Sequence, residues 1–301
     1  MKISLGSRSS TLALWQTHRV ADLLREAHPG LDVEIVTMET LGDRRQDVPM
    51  PKIGAKGLFT AELEEALAID EIDIAVHSLK DLPSQLPDGL QFAGSPGRAA
   101  PTDSLVSTRH QSLTSLPEGA RVATGSQRRR AQLLHLRPDL DLVDLRGNIG
   151  TRLKKLETEG HDGIIMATAA LHRLELHHRI TEELHPHTFV PAVGQGAIGL
   201  ETRIGRDDIT ALLAPILHGP TNAAVRAERH FMAHLEGGCS VALGAHCHPN
   251  DDGTWTFAAW TGSQDGQRVL KALEAGPDPA QLATHLTDRF LRDGARDILH
   301  S

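Results

Sequence analysis

The sequence predicts an α/β protein with two layered lobes and a smaller α+β domain at its C-terminal end. Three observations carry this. Strand-like and helix-like segments alternate through the first two thirds of the 301 residues. The alternation restarts near Ala120 with an echo of the beginning: "ISLGSRSSTLAL" and "RVATGSQRRRAQLL" both run strand, Gly-Ser, basic residue, helix. The final stretch then changes rhythm, from a long helical segment to hairpin strands and one more helix.

In the first round "KISL" is a short strand. "TLALWQTHRVADLLREAH" sets Leu12, Trp15, Val20, Leu23 and Leu24 at helical spacing and stops at Pro29-Gly30. "DVEIVTM" alternates as a strand, "GLFTAELEEALA" is helical, and "EIDIAVHSL" is a strand ending at Lys80-Asp81. Pro83 and Pro87 punctuate the loop that follows, and "LQFAG" and "SLVST" read as further strands. The second round gives strands in "ARVAT", "LDLVDL" and "DGIIMA" and helices in "SQRRRAQLLHL", "GTRLKKLETEG" and "TAALHRLEL". "PAVGQGAIGLE" is a glycine-rich crossover suited to a hinge. Beyond it come a helix in "LHGPTNAAVRAERHFMAHL", hairpin strands in "TWTFAAWTG" and "QRVLKALEA", and a closing helix in "PAQLATHLTDRFLRDGA".

Composition narrows the class. An apolar fraction of 40% is that of a soluble globular protein. Aromatics are scarce and Tyr is missing, so the cores must be built from Leu, Ile, Val and Ala. A net charge of −8 argues against a general nucleic-acid binder, and no stacking aromatics interleave the basic residues. Two cysteines cannot form a disulfide framework and suit a reducing compartment. "MKISLGSRSS" lacks a secretory core, and no apolar run approaches the ~18–20 residues that span a bilayer. The expectation is a cytoplasmic protein with no membrane contact.

Basic residues gather at element ends. Arg8 follows Gly6-Ser7 where a strand gives way to a helix, and Arg128, Arg129 and Arg130 follow Gly125-Ser126 in the equivalent place. Arg146 ends "LDLVDL" just before Gly147-Asn148, and Arg152 opens the next helix. Helix N-termini favour anions, and forked guanidinium donors grip carboxylate or phosphate. Ligands of such sheets sit beyond the strands' carboxyl ends. Together these point to one cleft for a multiply anionic ligand, against the plainer reading of a solvated helix face. In "HSLKDLP", Lys80 suits a Schiff base or an anion contact, and Asp81 suits cation stabilisation or proton transfer; a surface ion pair is the alternative. His77 reads as structural. "PKIGAKGLFTAELEEAL" sets Lys52 and Lys56 among glycines without the spacing of a P-loop.

"EGGCSVALGAHCH" holds both cysteines. His230, His234, Cys239, His246, Cys247 and His248 are possible zinc ligands. No Cys-x-x-Cys pair exists, however, and 18 histidines make clustering by chance easy, so no metal is expected. A buried inert thiol is the ordinary alternative, but Gly237-Gly238 gives Cys239 a tight turn with close access.

Seven segments in order then add up to a family. "GSRSSTLALWQ", "KIGAKGLFTAELE", "HSLKDLP", "GSQRRRAQL", "LRGNIGTRL", "PAVGQGAIGLE" and "EGGCSVALGAH" resemble hydroxymethylbilane synthase, also called porphobilinogen deaminase, over essentially the whole chain. The resemblance implies two lobes like those of type II periplasmic binding proteins, at 1–96 plus 197–214 and at 102–190. It also implies a small α+β domain at 219–301 that carries the cysteine loop. The implied reaction joins four porphobilinogen molecules head to tail into 1-hydroxymethylbilane with loss of ammonia. The implied cofactor is a dipyrromethane bound through a thioether, and Cys239 matches its attachment position. Lys80 and Asp81 match the catalytic pair. Ser126, Arg128, Arg129, Arg146 and Gly147, with Lys80 and Asp81, match cofactor contacts. Arg8, Ser10, Lys56, Arg146, Arg152 and Arg173 match substrate contacts. A monomer is implied.

The chain departs from the family at Leu41 and Thr102, where basic residues are usual, at Gln127, where an apolar one is usual, and at Arg130, which adds a charge. These bear on lobe coupling and ligand detail rather than on the reaction. Two other readings share the arginines. A non-catalytic two-lobed anion binder leaves the third domain unexplained and would call for an export signal. A Lys80 Schiff-base enzyme would call for a phosphate site.

Overall fold

The computed structural model describes residues 2–44, 58–235 and 241–301. Lys56 and Cys239 lie outside the described residues. The chain forms two compact units, one of Met1–Ala99 with Ala197–Asn222, the other of Ala100–Gly196 with Ala223–Ser301.

The first unit is built on a five-stranded sheet. Its strands are β1 (Lys2–Arg8), β2 (Asp32–Met38), β3 (Ile74–Ser78), β4 (Leu90–Gly94) and β10 (Ile198–Arg203), in the order β2-β1-β3-β10-β4. β1 runs parallel to β2 and β3, while β10 is antiparallel to both of its neighbours. Helix α1 (Thr11–Ala27) buries Val20, Ala21 and Leu24 against Ile3, Leu5, Ile74, Val76, Ile198 and Leu200. Alternation along β3 sends Ala75 to the opposite face, where α3 (Ala61–Ala68) packs through Leu63, Ala66 and Leu67. The short α2 (Leu41–Arg44) follows β2, and α7 (Asp207–Leu213) follows β10.

The second unit repeats the plan. Its five strands are β5 (Asp103–Val106), β6 (Arg121–Ala123), β7 (Asp141–Val143), β8 (Gly163–Ala167) and β9 (Glu182–Leu184), in the order β7-β6-β8-β5-β9. β6 is parallel to β7 and β8, and β5 is antiparallel to β8 and β9. In both sheets the antiparallel strand follows a crossing of the chain between units, so the sequence echo reflects one topology used twice. Helices α4 (Gln127–Leu136), α5 (Ile149–Thr158) and α6 (Thr168–Arg173) connect these strands.

The same unit carries a three-stranded antiparallel sheet of β11 (Leu243–Pro249), β12 (Trp255–Gly262) and β13 (Val269–Gly276). Helices α8 (Gly219–His234), α9 (Pro279–Arg292) and α10 (Ala295–Leu299) complete it. Phe231 meets Phe257 and Phe290 edge to face in its core. Asp278 caps α9 by accepting the Ala280 and Gln281 amides. The predicted hairpin is β12–β13. β11, not expected as a strand, lies within "EGGCSVALGAHCH" itself. Its first five residues are all buried, so it shows no alternation.

Candidate functional site

In the first unit, β1 delivers Arg8 to the carboxyl edge of the sheet, and Ser10 caps α1 by accepting the Ala13 amide at 3.3 Å. Arg8 forks onto Asp43, with Nε to Oδ2 at 3.1 Å and Nη2 to Oδ1 at 2.5 Å, and lies 4.3 Å from the centre of the Phe59 ring. Burial pushes the Asp43 carboxyl up, but bonds from Arg8 and Thr40 overcome this and leave it below its ordinary value. Arg8 is thus aimed by a carboxylate and a ring face. Leu41 is exposed, and its amide donates to Glu62.

β3 reaches the same edge and turns through a 3₁₀ segment, Leu79–Asp81. Buried Leu79 anchors the turn, its amide donating to Ala197 O at 3.1 Å. Gly199 makes room for it, since a Cβ there would come within 2.9 Å of Leu79 Cδ1. Lys80 and Asp81 are both half-buried. Asp81 lines a cavity with Arg8, Ser10, Gln16, Phe59 and Ser78. Among the described residues its carboxylate takes no hydrogen bond and no ion pair. A half-buried carboxylate without donors is set to receive an N–H or to face a developing cation. His77 is buried, with Nε2 3.0 Å from Glu201 Oε2.

In the second unit Ser126 caps α4, accepting the Arg129 amide at 3.4 Å. Arg128 and Arg129 turn inward. Arg128 donates to Asp103 Oδ2 at 2.7 Å and to Val190 O at 2.6 Å. Arg129 donates to Asp103 Oδ1 through Nε and Nη2 and to Ile165 O through Nη1. Gln195 Nε2 adds a third side chain to Asp103, at 2.9 Å. Burial opposes the Asp103 charge, but the two guanidiniums overcome it and hold the carboxyl far below the carboxylate range. Arg128 Nε is buried with no hydrogen-bond partner among the described residues. Arg130 donates to Leu142 O. Thr102 is buried, its hydroxyl bonded to Thr168 and Glu183.

β7 stops at Val143 rather than reaching Arg146, because its partner β6 ends at Ala123. Arg146 therefore stands in the loop before α5. One of its donors, Nη2, is buried with no hydrogen-bond partner among the described residues, and burial lowers its pKa. Gly147 has φ +109°, and a Cβ there would lie 2.7 Å from Thr151 Cγ2. Asn148 caps α5 by accepting the Thr151 amide at 2.9 Å. Arg152 bonds back to Gly147 O at 2.7 Å. Arg173 ends α6 and donates to Gly196 O at 2.6 Å, while burial pulls its pKa down to about 10. Arg128, Arg146, Arg152 and Arg173 all belong to this unit.

Sequence reasoning passed over the anions that organise these groups. Asp103 and Glu201 each lie far along the chain from the residue they bind. Glu228 is fully buried on α8, accepting the Gly194 and Cys247 amides at 2.8 Å each. Cys247 is itself buried in β11. The one available signal was the occurrence of acidic residues inside otherwise apolar segments.

Known proteins give the arrangement its context. The model described as porphobilinogen deaminase, dipyromethane cofactor binding domain, matches residues 3–211, and that of the porphobilinogen deaminase C-terminal domain matches 222–292. The chain is 46% identical over 304 residues to a porphobilinogen deaminase of Nitratidesulfovibrio vulgaris, covering 99% of this chain and 96% of the relative. It is 47% identical over 299 residues to that of Syntrophotalea carbinolica, covering 99% and 95%. Among solved structures, the periplasmic VFT2 domain of Bordetella pertussis BvgS (a double mutant) overlays with a TM-score of 0.43 at 16% identity, over 76% of this chain and 91% of that one. Matched by both domain models and by near-full-length relatives, the chain belongs to the porphobilinogen deaminase family.

Proposed function

We propose that this chain is a hydroxymethylbilane synthase, a transferase that converts four porphobilinogen molecules and one water into the linear 1-hydroxymethylbilane with release of four ammonia molecules. The observation that carries the residue assignment is the half-buried Asp81 carboxylate, which has no donor of its own among the described residues.

The chain's groups fit a dipyrromethane. Each pyrrole ring brings an acetate, a propionate and an N–H. The buried donors on Arg146 and Arg128 that lack partners among the described residues would suit acceptors such as ligand carboxylates, and Asp81 would suit an N–H. Bound through a thioether to Cys239, the group would supply a pyrrole α-carbon as nucleophile. Lys80, Ser126, Arg128, Arg129, Arg146 and Gly147 hold its polar edges, with the Ser126 hydroxyl free to donate while it caps α4. Arg8, Ser10, Arg146, Arg152, Arg173 and Lys56 hold the carboxylates of incoming porphobilinogen.

Asp81 has the chemical task. Ammonia leaves the aminomethyl carbon of porphobilinogen, and positive charge spreads onto the pyrrole nitrogen. A carboxylate at that N–H stabilises the cation more than the neutral ground state, which lowers the barrier. The proton that a pyrrole α-carbon must give up on coupling would pass to Asp81, the carboxylate that lines this cavity. Arg8, held by Asp43 and Phe59, keeps a positive charge in the same cavity without moving to meet the substrate. We assign the protein a monomeric, cytoplasmic setting with no nucleic-acid partner, in keeping with its net charge of −8 and two cysteines.

The test is Asp81→Asn. It should fold and carry the cofactor mass while losing turnover by roughly 10²–10³-fold. Near-normal turnover would remove Asp81 from the mechanism.

A further inference from the structure

Residues 190–196, which include the start of "PAVGQGAIGLE", have no task in the reaction described above. This strap is neither helix nor strand, yet all of it except Ala192 is buried. Buried irregular backbone must find hydrogen-bond partners, and here side chains supply them. At one end Val190 O accepts Arg128 Nη1 at 2.6 Å, and the Val190 amide donates to Gln132 Oε1 at 2.7 Å. At the other end Gly196 O accepts Arg173 Nη2 at 2.6 Å. In the middle the Gly194 amide donates to Glu228 Oε2 at 2.8 Å. Gln195 turns its Nε2 to Pro101 O at 2.7 Å and to Asp103 Oδ1 at 2.9 Å. All of these residues belong to the second unit.

Glu228 is the costly member. Its side chain is 0% exposed, and a buried carboxylate persists only where specific donors offset its lost hydration. Two of its donors are backbone amides from distant parts of the chain. Oε2 takes that of Gly194, and Oε1 takes that of Cys247 on β11 at 2.8 Å. His246 Nδ1 stands 3.6 Å from Oε1, beyond hydrogen-bond length. The carboxylate therefore ties the strap to the strand that begins at Leu243, shortly after Cys239 in the chain. A Gln side chain cannot do the same, since it would offer one oxygen and turn an N–H against the other amide.

We propose that Glu228 and Gln195 are positioning residues for carboxylate binding. They set the strap, and carbonyls at its two ends hold the guanidiniums of Arg128 and Arg173 in place to grip cofactor and substrate carboxylates. Neither Glu228 nor Gln195 touches the ligand. A guanidinium carries its N–H donors in a rigid fork, so fixing one of them aims the rest. Val190 O and Asp103 pin Arg128 by its two Nη atoms, and Nε is buried with no hydrogen-bond partner among the described residues. Gln195 ties the strap to the same Asp103, so strap and guanidinium share one anion. A shift of about 1 Å in such a support costs up to roughly 10²-fold.

The roles of Arg128 and Arg173 toward cofactor and substrate rest on the proposed function; the clamp at Glu228 does not. The experiment uses the purified full-length holoenzyme and its Glu228→Gln and Gln195→Met variants. Amide hydrogen exchange followed by NMR reads the clamp. The Gly194 and Cys247 amides should be protected in the wild type and lose protection together in Glu228→Gln, on the order of tenfold, while the Val190 amide keeps its own. Lack of protection in the wild type, or exchange unchanged in the variant, overturns the clamp. With the adduct on Cys239 verified by mass, both variants should raise KM for porphobilinogen about tenfold. Both should keep kcat within about twofold and its pH profile in place, because Asp81 belongs to the first unit. A merely structural role would instead lower kcat at unchanged KM. That result, or wild-type KM in both variants, overturns the positioning role, and where Glu228→Gln fails to fold Gln195→Met alone decides it. A wild-type enzyme lacking the adduct would overturn the proposed function and leave the exchange result standing.

Discussion

The two five-stranded sheets share a strand order and bury opposite excesses of charge. Beneath α3 the first unit holds two carboxylates and one imidazole, Glu64, Glu201 and His77. At the start of α4 the second unit holds two guanidiniums on one carboxylate, Arg128 and Arg129 on Asp103. The first arrangement lies on a strand followed by a turn that carries Asp81, a carboxylate with no partner among the described residues. The second shares its unit with Arg146, whose Nη2 is buried with no hydrogen-bond partner among the described residues. One topology therefore carries two different settings: on the proposed function, one unit would offer a base and a cation stabiliser and the other a carboxylate grip. Strand order does not decide which. The residue at each strand end and the buried ions that aim it do.

Removing the single anion of the basic triad is the harshest way to break this comparison. Asp103→Asn leaves two buried guanidiniums without a counter-charge and should destabilise the protein by about 3–5 kcal/mol in denaturant unfolding. A loss below about 1 kcal/mol would show that Arg128 and Arg129 find other acceptors. The pH dependence has a definite sign. The Asp103 carboxyl lies lower in the folded state than in the unfolded one. Its stabilisation is present above the unfolded carboxylate value and is lost as pH falls toward the depressed folded one.

Arg146→Leu sharpens the grip side. It removes the Nη2 donor that lacks a partner among the described residues and should weaken porphobilinogen and cofactor retention roughly ten- to a hundredfold, the worth of a charged hydrogen bond. Saturation kinetics and the mass of the loaded protein read this out. The acidic side responds oppositely to pH. The Glu64 carboxyl is raised in the folded state, so its stabilisation holds below the unfolded value and fades as pH rises through the folded one. Glu64→Gln should flatten the melting-temperature profile in the range just above the unfolded carboxylate value, and an unchanged slope there would place the titration elsewhere. Ser126→Ala is the mildest change. Losing the cap on α4 should cost about 1 kcal/mol, and thermal unfolding would register a shift of a few degrees.

Much of this was legible in the chain because it is local. Alternation gave β2, short apolar segments gave β1 and β3, and helical spacing gave α1. The Gly-Ser-Arg junctions placed Arg8 and Arg128 at strand ends, and "HSLKDLP" placed Lys80 and Asp81 on a turn after β3. What escaped is non-local. His77 and Glu201 are 124 residues apart, and Arg128 and Asp103 are 25 apart. No periodicity links such pairs; only the packed sheet does. β11 escaped because both of its faces are covered, which erases the period-two signal. Arg146 was placed on a strand that ends three residues earlier, since β7 extends only as far as β6 can pair with it.

On the proposed function, the basic and acidic groups serve a pyrrole chain tethered at Cys239. Intact mass of the purified protein, with peptide mapping, tests it most directly. The predicted result is a covalent dipyrrole adduct located on the peptide containing Cys239 and lost in Cys239→Ser. An active enzyme with an unmodified, freely alkylated Cys239 would contradict it.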